Sequence, residues 1–322
     1  MSPFPSAAIL FLTAVLGGGP ADQARGPSVP AESTLPLRRL ADGVYAVLGD
    51  TGRGSEGRPN AGFVVTSEGV VVVDALASPA EGRRLLRTIR SVTRAPLRAL
   101  VLTHHHPDHH FGASVLVREG ADVVAHPDAE VLAGAAGPEA LVREWTQVVG
   151  AEAMRGFAYA NRPARAVTGV DTLRYGGRTV VVRHPGPAHT PGDLFVWLPE
   201  ERVLFAGDVL VEDGVTMVVD GDSRALLGAL ALIDSLRPAI VVPGHGAIPA
   251  APTSLVARTR AYVRELRDAM RREVERGTPL NRALAAFPPA DEARPVSLDS
   301  RRRRNAVRVY LEMEREAAGF EP

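Results

Sequence analysis

Leu97-Arg98-Ala99-Leu100-Val101-Leu102 runs directly into Thr103-His104-His105-His106-Pro107-Asp108-His109-His110, and the fold is read from this junction. The apolar hexad is the pattern of a buried strand. Five of the nine histidines in the chain fall between positions 104 and 110, at the C-terminal end of that strand. Neither core packing nor solubility produces such a concentration, whereas imidazole is the commonest metal-ligating side chain. His104 and His106, two residues apart on a loop, can converge on one cation, while Asp108 and His109 turn toward a neighbouring position. Two adjacent cation sites are therefore implied. Pro107 restricts the backbone of His106 to an extended conformation and makes the loop rigid.

Three later segments repeat the theme of a polar residue in a Gly or Pro turn beside an apolar strand. They are His189 in Gly186-Pro187-Ala188-His189-Thr190-Pro191-Gly192-Asp193, Asp208 in Ala206-Gly207-Asp208, and His245 in Val242-Pro243-Gly244-His245-Gly246. Each is weak alone; as an ordered set after H-x-H-x-D-H they are specific.

Short β-branched runs at 44–48, 62–66 and 70–73 predict an opening antiparallel meander, and 80–92 carries apolar residues at helical spacing. Further strands are expected at 123–125, 179–182, 194–197, 203–205 and 240–242, with a helix over 226–236 before the last. Val70-Val71-Val72-Val73-Asp74 and Val203-Leu204-Phe205-Ala206-Gly207-Asp208 both finish an apolar strand with an aspartate, a hint of internal duplication. Residues 254–275 and 300–316 are amphipathic and charge-rich, so the chain ends as helices. Arg301-Arg302-Arg303-Arg304 reads as a solvated helix face.

Composition narrows the function classes. Thirty-seven basic residues balance thirty-seven acidic ones, leaving no global field for nucleic acid or an anionic membrane, so the expected partner is a small-molecule substrate. Cysteine is absent, which removes disulfides, thiolate ligands and a cysteine nucleophile; nitrogen and oxygen must hold any metal. The apolar run Ala7–Leu16 has the length of a signal-peptide core and is too short to span a bilayer, so export to the periplasm or exterior without a stable membrane anchor is expected. The expected organisation is a signal peptide over 1–24, a Pro/Ser/Ala-rich linker over 25–38, a catalytic domain over 39–276 and a helical extension over 277–322. Oligomeric state is not legible.

The ordered motif set resembles that of the metallo-β-lactamase superfamily, in an exported branch with a glyoxalase II-like metal set, over roughly 40–246. The resemblance implies an α/β (α+β) fold, a four-layer αββα sandwich with a helical C-terminal extension. It further implies two zinc ions, with iron or manganese as alternative occupants. By the same resemblance His104, His106 and His189 hold the first metal, Asp108, His109 and His245 hold the second, and Asp208 bridges both. Asp74 resembles the family aspartate that orients the ligands from behind.

Two such cations lower the pKa of a shared water to about 7, supplying hydroxide without a side-chain base. Asp108 and Asp208 are then the carboxylates closest to the chemistry, Asp108 holding the nucleophile in line. Dedicated zinc β-lactamases carry cysteine or serine where this chain has Asp208, so an ester, thioester or lactone hydrolase is expected ahead of a β-lactam hydrolase. A mononuclear iron enzyme similar to persulfide dioxygenases is a further alternative. His105, His110, His126 and His184 have no assigned role; each has a packing and a substrate-facing reading, with His110 and His126 the better functional candidates.

Overall fold

In the computed structural model the described residues are 33–50, 58–129, 137–212, 214–286 and 296–320. The apolar run Ala7–Leu16 and most of the expected linker lie outside them. Among the described residues no helix is long and apolar enough to cross a membrane.

Among the described residues twelve strands form two sheets. The first has seven strands in sequential order, β1 (Leu37–Ala41), β2 (Val44–Val47), β3 (Ala61–Thr66), β4 (Gly69–Val73), β5 (Leu97–Val101), β6 (Asp122–Ala125) and β7 (Arg165–Ala166). The second comprises β8 (Val170–Tyr175), β9 (Arg178–Arg183), β10 (Phe195–Leu198), β11 (Val203–Phe205) and β12 (Ile240–Val242), also in order. The described residues also form eight α-helices, α1 (Pro79–Val92), α2 (Pro107–His110), α3 (Ala113–Arg118), α4 (Gly137–Val149), α5 (Ser223–Leu236), α6 (Pro252–Glu275), α7 (Leu280–Ala286) and α8 (Val296–Ala317).

The layer order follows from the two-residue period of strands whose faces are both covered. On β4, Val71 and Val73 face the second sheet, where they pack with Val182, Val196 and Phe205. Val70 and Val72 face the opposite way, onto Leu85 and Ile89 of α1 and Leu116 of α3. On β10, Val196 and Leu198 point into the inter-sheet core, while Phe195 and Trp197 pack against Leu226, Leu230 and Val263 of α5 and α6. The result is helix, sheet, sheet, helix, the expected four-layer αββα sandwich.

α8 contributes Ala306, Val309, Tyr310 and Met313 to the core shared with α5 and α6. Within the arginine run, Arg303 and Arg304 are exposed, but Arg301 is buried and Arg302 lies over the Tyr262 ring, so only half the run is a solvated face. The expected linker also ends early. Leu35 is buried with its N–H on Thr88 Oγ1, and Leu37 and Arg38 already belong to β1.

In each sheet a parallel pair of strands delivers an aspartate and histidines to the same edge. β4 and β5 run parallel and end at Asp74 and the 104–110 cluster; β11 and β12 run parallel and end at Asp208 and His245.

Candidate metal centre

The loop leaving β5 is pinned before its histidines begin. Asp74, held at a left-handed φ of 60° just after β4, accepts the Thr103 N–H on Oδ1 and the Thr103 hydroxyl on Oδ2, both at 2.8 Å. Its Oδ2 also lies 2.8 Å from Nδ1 of His109. Pro107 opens α2, so Asp108, His109 and His110 occupy one helical turn while His106, just before it, stays extended.

The other residues arrive on turns. Asp193 folds the His189 loop back on itself, accepting the backbone N–H of His189 (2.6 Å) and the hydroxyl of Thr190 (2.7 Å). Burial pushes the Asp193 carboxyl up despite those donors. Asp208 sits in a 3-10 turn after β11. Asn60 secures the His245 turn, donating from Nδ2 to the carbonyls of Pro243 (2.8 Å) and Gly246 (2.9 Å).

The expected residues converge in two groups. His104, His106, His189 and Asp208 offer ligand atoms within 4.8 Å of one another, and so do Asp108, His109 and His245. Asp208 joins the groups: its carboxylate is 3.2 Å from His109 Nε2, 3.7 Å from His189 Nε2 and 3.6 Å from His245 Nε2. Asp108 is 3.0 Å from His245 Nε2.

Whether these residues fit cations is tested by their tautomers, which follow from the outer partners. His109 gives its Nδ1 proton to Asp74 and His189 gives its own to the Met217 carbonyl (2.7 Å). His106 gives its Nε2 proton to Asp220 (3.0 Å). The Thr103 hydroxyl is committed as a donor to Asp74, so it accepts from His104 Nδ1 (3.0 Å). Every one of these rings thus turns a lone pair inward. His104 Nε2, His109 Nε2 and Asp208 Oδ1 are buried there without a hydrogen-bond partner. Bare acceptors facing one another are costly unless a cation lies among them, so the residues present fit a divalent-metal centre.

The electrostatics agree. Burial opposes a charged His109, yet Asp108, Asp208 and Asp74 outweigh it and raise its pKa well above the usual value; the carboxylates demand positive charge at this spot. Burial likewise opposes ionised Asp208, but His245 and His109 hold its pKa below the ordinary carboxylate range. At His104 burial, reinforced by the neighbouring rings, pushes the pKa well down, leaving the neutral form that binds metal.

Residues 54–245, more than half of the chain, match the family model of the metallo-beta-lactamase superfamily. The chain belongs to this superfamily. The metallo-beta-lactamase type 2 of Bacillus cereus is 26% identical over 202 residues, covering 60% of this chain and 69% of the relative. The hydroxyacylglutathione hydrolase of Shewanella halifaxensis is 27% identical over 170 residues, 53% of this chain and 54% of that protein. A metallo-beta-lactamase from Pontibacter korlensis superposes with a TM-score of 0.57 at 23% identity, covering 72% of this chain and 99% of its own, which shows the shared fold. Superfamily membership and the His/Asp groups together make this a metallo-hydrolase fold equipped for divalent metal and small-molecule substrates.

The metallo-beta-lactamase signature left Asp220 and Thr103 unread. Asp220 lies far along the chain from His106, and its carboxyl, opposed by burial but stabilised chiefly by the hydrogen bond and charge of His106, has a pKa lowered to about 2. Neither residue carries a spacing signal, since each acts through a partner's outer atom. The four unassigned histidines divide. His105 is buried against the His106 ring. His110 hydrogen-bonds the His106 carbonyl and is driven to a pKa of about 4 by burial. His126 and His184 stand apart from the cluster, their rings tilted against each other with centroids 4.6 Å apart; His126 packs beneath Gly192, and His184 Nδ1 bonds the Asp193 carbonyl. Both therefore buttress the loop that carries His189.

Proposed function

We propose that the chain is a binuclear zinc hydrolase that opens an ester, thioester or lactone bond. The observation that carries this reading is the junction of two inward-facing ligand groups through one carboxylate, Asp208. In this reading His104, His106 and His189 hold the first ion, Asp108, His109 and His245 the second, and Asp208 both. When bound, the pair supplies Lewis acidity and an activated water at neutral pH.

The chain's own residues do the rest. Asp208 offsets the mutual repulsion of the two charges from a buried position. Burial opposes ionisation of Asp108, but His109 and His245 keep its pKa below the usual range, so it stays an anionic carboxylate able to ligate and to hold the attacking water in line. Asp74 and Thr103 behind the site keep His104 and His109 in their ligating tautomers.

The choice of bond rests on Asp208 and on the lack of cysteine. Superfamily β-lactamases carry cysteine or serine at this position by the resemblance drawn above, and a hydroxyacylglutathione hydrolase is among the relatives. β-Lactam hydrolysis is the second reading, favoured by the named Bacillus cereus relative.

Both are tested by one panel of lactones, thioesters, aryl esters and β-lactams presented to metal-quantified protein. The expected outcome is turnover of an ester-type substrate at least tenfold above any β-lactam. Faster turnover of β-lactams establishes the second reading. Iron in the purified protein together with oxygen uptake on a persulfide would replace both.

A further inference from the structure

Two of the outer partners that set the first ligand group lie on one stretch of irregular backbone, residues 214–222. The Met217 carbonyl receives the Nδ1 proton of His189, and the Asp220 carboxylate receives the Nε2 proton of His106. Backbone without secondary structure does not hold such positions to a few tenths of an ångström by itself.

The stretch is gripped from the far side by α8. Asn305 Oδ1 accepts the Val218 N–H at 2.9 Å, and Asn305 Nδ2 donates to the Thr216 carbonyl at 2.9 Å, so the peptide groups on either side of Met217 are both fixed. The same amide donates to the Tyr262 hydroxyl at 3.0 Å, which holds it to α6. Arg308 Nη2 donates to the Gly221 carbonyl, beside Asp220, at 2.6 Å. Glu312 accepts the N–H and the hydroxyl of Ser223, where the stretch becomes α5.

Positions 305, 308 and 312 are spaced three and four apart and therefore share one face of α8. Asn305 is fully buried. An amide at such a position destabilises a core unless its hydrogen bonds are made, and two of its three, those to Val218 and Thr216, can be made only with the 214–222 stretch in place. Gly221 adds a close approach: a Cβ there would stand 2.1 Å from the Ala188 carbonyl oxygen, next to His189.

We propose that α8 is a positioning element of the metal centre, with Asn305 and Arg308 as positioning residues. They hold residues 214–222, which in turn aim His106 and His189 at the first ion. This rests on the binuclear reading above, because it needs those two histidines to be ligands. The second group, whose His109 is held by Asp74 from the other sheet, is outside the grip of α8.

The test uses the full chain with three substitutions: Asn305→Leu, which keeps the branched shape and removes the amide; Arg308→Ala, a milder cut at a half-buried site; and Met313→Ala, which opens a core cavity on the same helix and removes no hydrogen bond to the stretch. Two quantities are read, zinc affinity by competition with a chromogenic chelator and solvent exchange of the histidine ring N–H protons in metal-free protein. In wild type two ions bind, and the ring protons of His106, His189 and His109 are protected. Asn305→Leu and Arg308→Ala should weaken one ion about tenfold or more and expose the His106 and His189 protons, leaving the other ion and the His109 proton unchanged.

Met313→Ala should lower thermal stability and change neither quantity. Unchanged affinity and protection in Arg308→Ala and in any folded Asn305→Leu protein overturns the proposal, as does a Met313→Ala protein that loses the same ion. Fewer than two ions on wild type removes the binuclear reading instead, and is told apart because it appears before any substitution is made.

Discussion

His106 and His189 point ring nitrogens at each other, Nδ1 to Nε2, at 3.0 Å, although both have committed their protons outward, to Asp220 and to the Met217 carbonyl. Two lone pairs at that distance repel unless a positive charge separates them. Removing metal should therefore destabilise the fold. An ion present at a hundredfold excess over its dissociation constant adds about 2.7 kcal/mol. Melting followed by circular dichroism should show a lower midpoint in chelator, restored by zinc; identical midpoints would mean that the cluster is satisfied without metal.

Asp208→Ala removes the carboxylate that joins the groups and should cost one ion preferentially, with turnover falling on every substrate class. Asp208→Ser leaves room for a water in place of the charge. Metal affinity should again fall, while any β-lactam side activity falls less than ester or lactone hydrolysis. Equal loss across the panel with both ions retained would show that Asp208 is no bridge.

Asp74→Asn separates backbone from network. Asparagine tolerates the left-handed conformation at this position, so the main effect comes from an amide group set against the donors Thr103 and His109. Affinity for the ion bound by His109 should drop 10- to 100-fold, measured by chelator competition. Wild-type affinity would leave Asp74 a merely structural turn residue.

Gly244→Ala tests how tightly the second sheet packs against the centre. A methyl group there would stand 1.8 Å from Asp208 Oδ1 and 2.8 Å from the Gly207 carbonyl carbon. Asp208 must move, so metal content should fall, with a destabilisation of about 1–3 kcal/mol. Gly228→Ala in α5, where the added methyl meets nothing within 4 Å, should be neutral or stabilising. Full metal content in Gly244→Ala would contradict the placement of Asp208.

Much of this fold is legible because its central strands are covered on both faces. Val70–Val73 reads as a continuous apolar run and Leu97–Val101 as one broken only by the exposed Arg98, and the clustered histidines and aspartates follow within a few residues of strand ends. β8 and α4 were not legible. β8 lies at a sheet edge with mixed burial, and α4 buries only Ala140, so neither carries a clean apolar period. The seven clustered side chains could be picked out because ligands recur in ordered turns. Asp220 could not, since it meets His105 and His106 only across the fold. His126 and His184 illustrate the same limit: they meet as a tilted ring pair that neither local sequence announces.

The most direct measurement is metal stoichiometry. Protein purified without chelator and equilibrated with zinc is passed over a desalting column, and zinc is counted by elemental analysis against protein concentration from amino-acid analysis. The binuclear centre predicts two ions per chain, falling toward one in Asp208→Ala. One ion per wild-type chain under metal-replete conditions would contradict it.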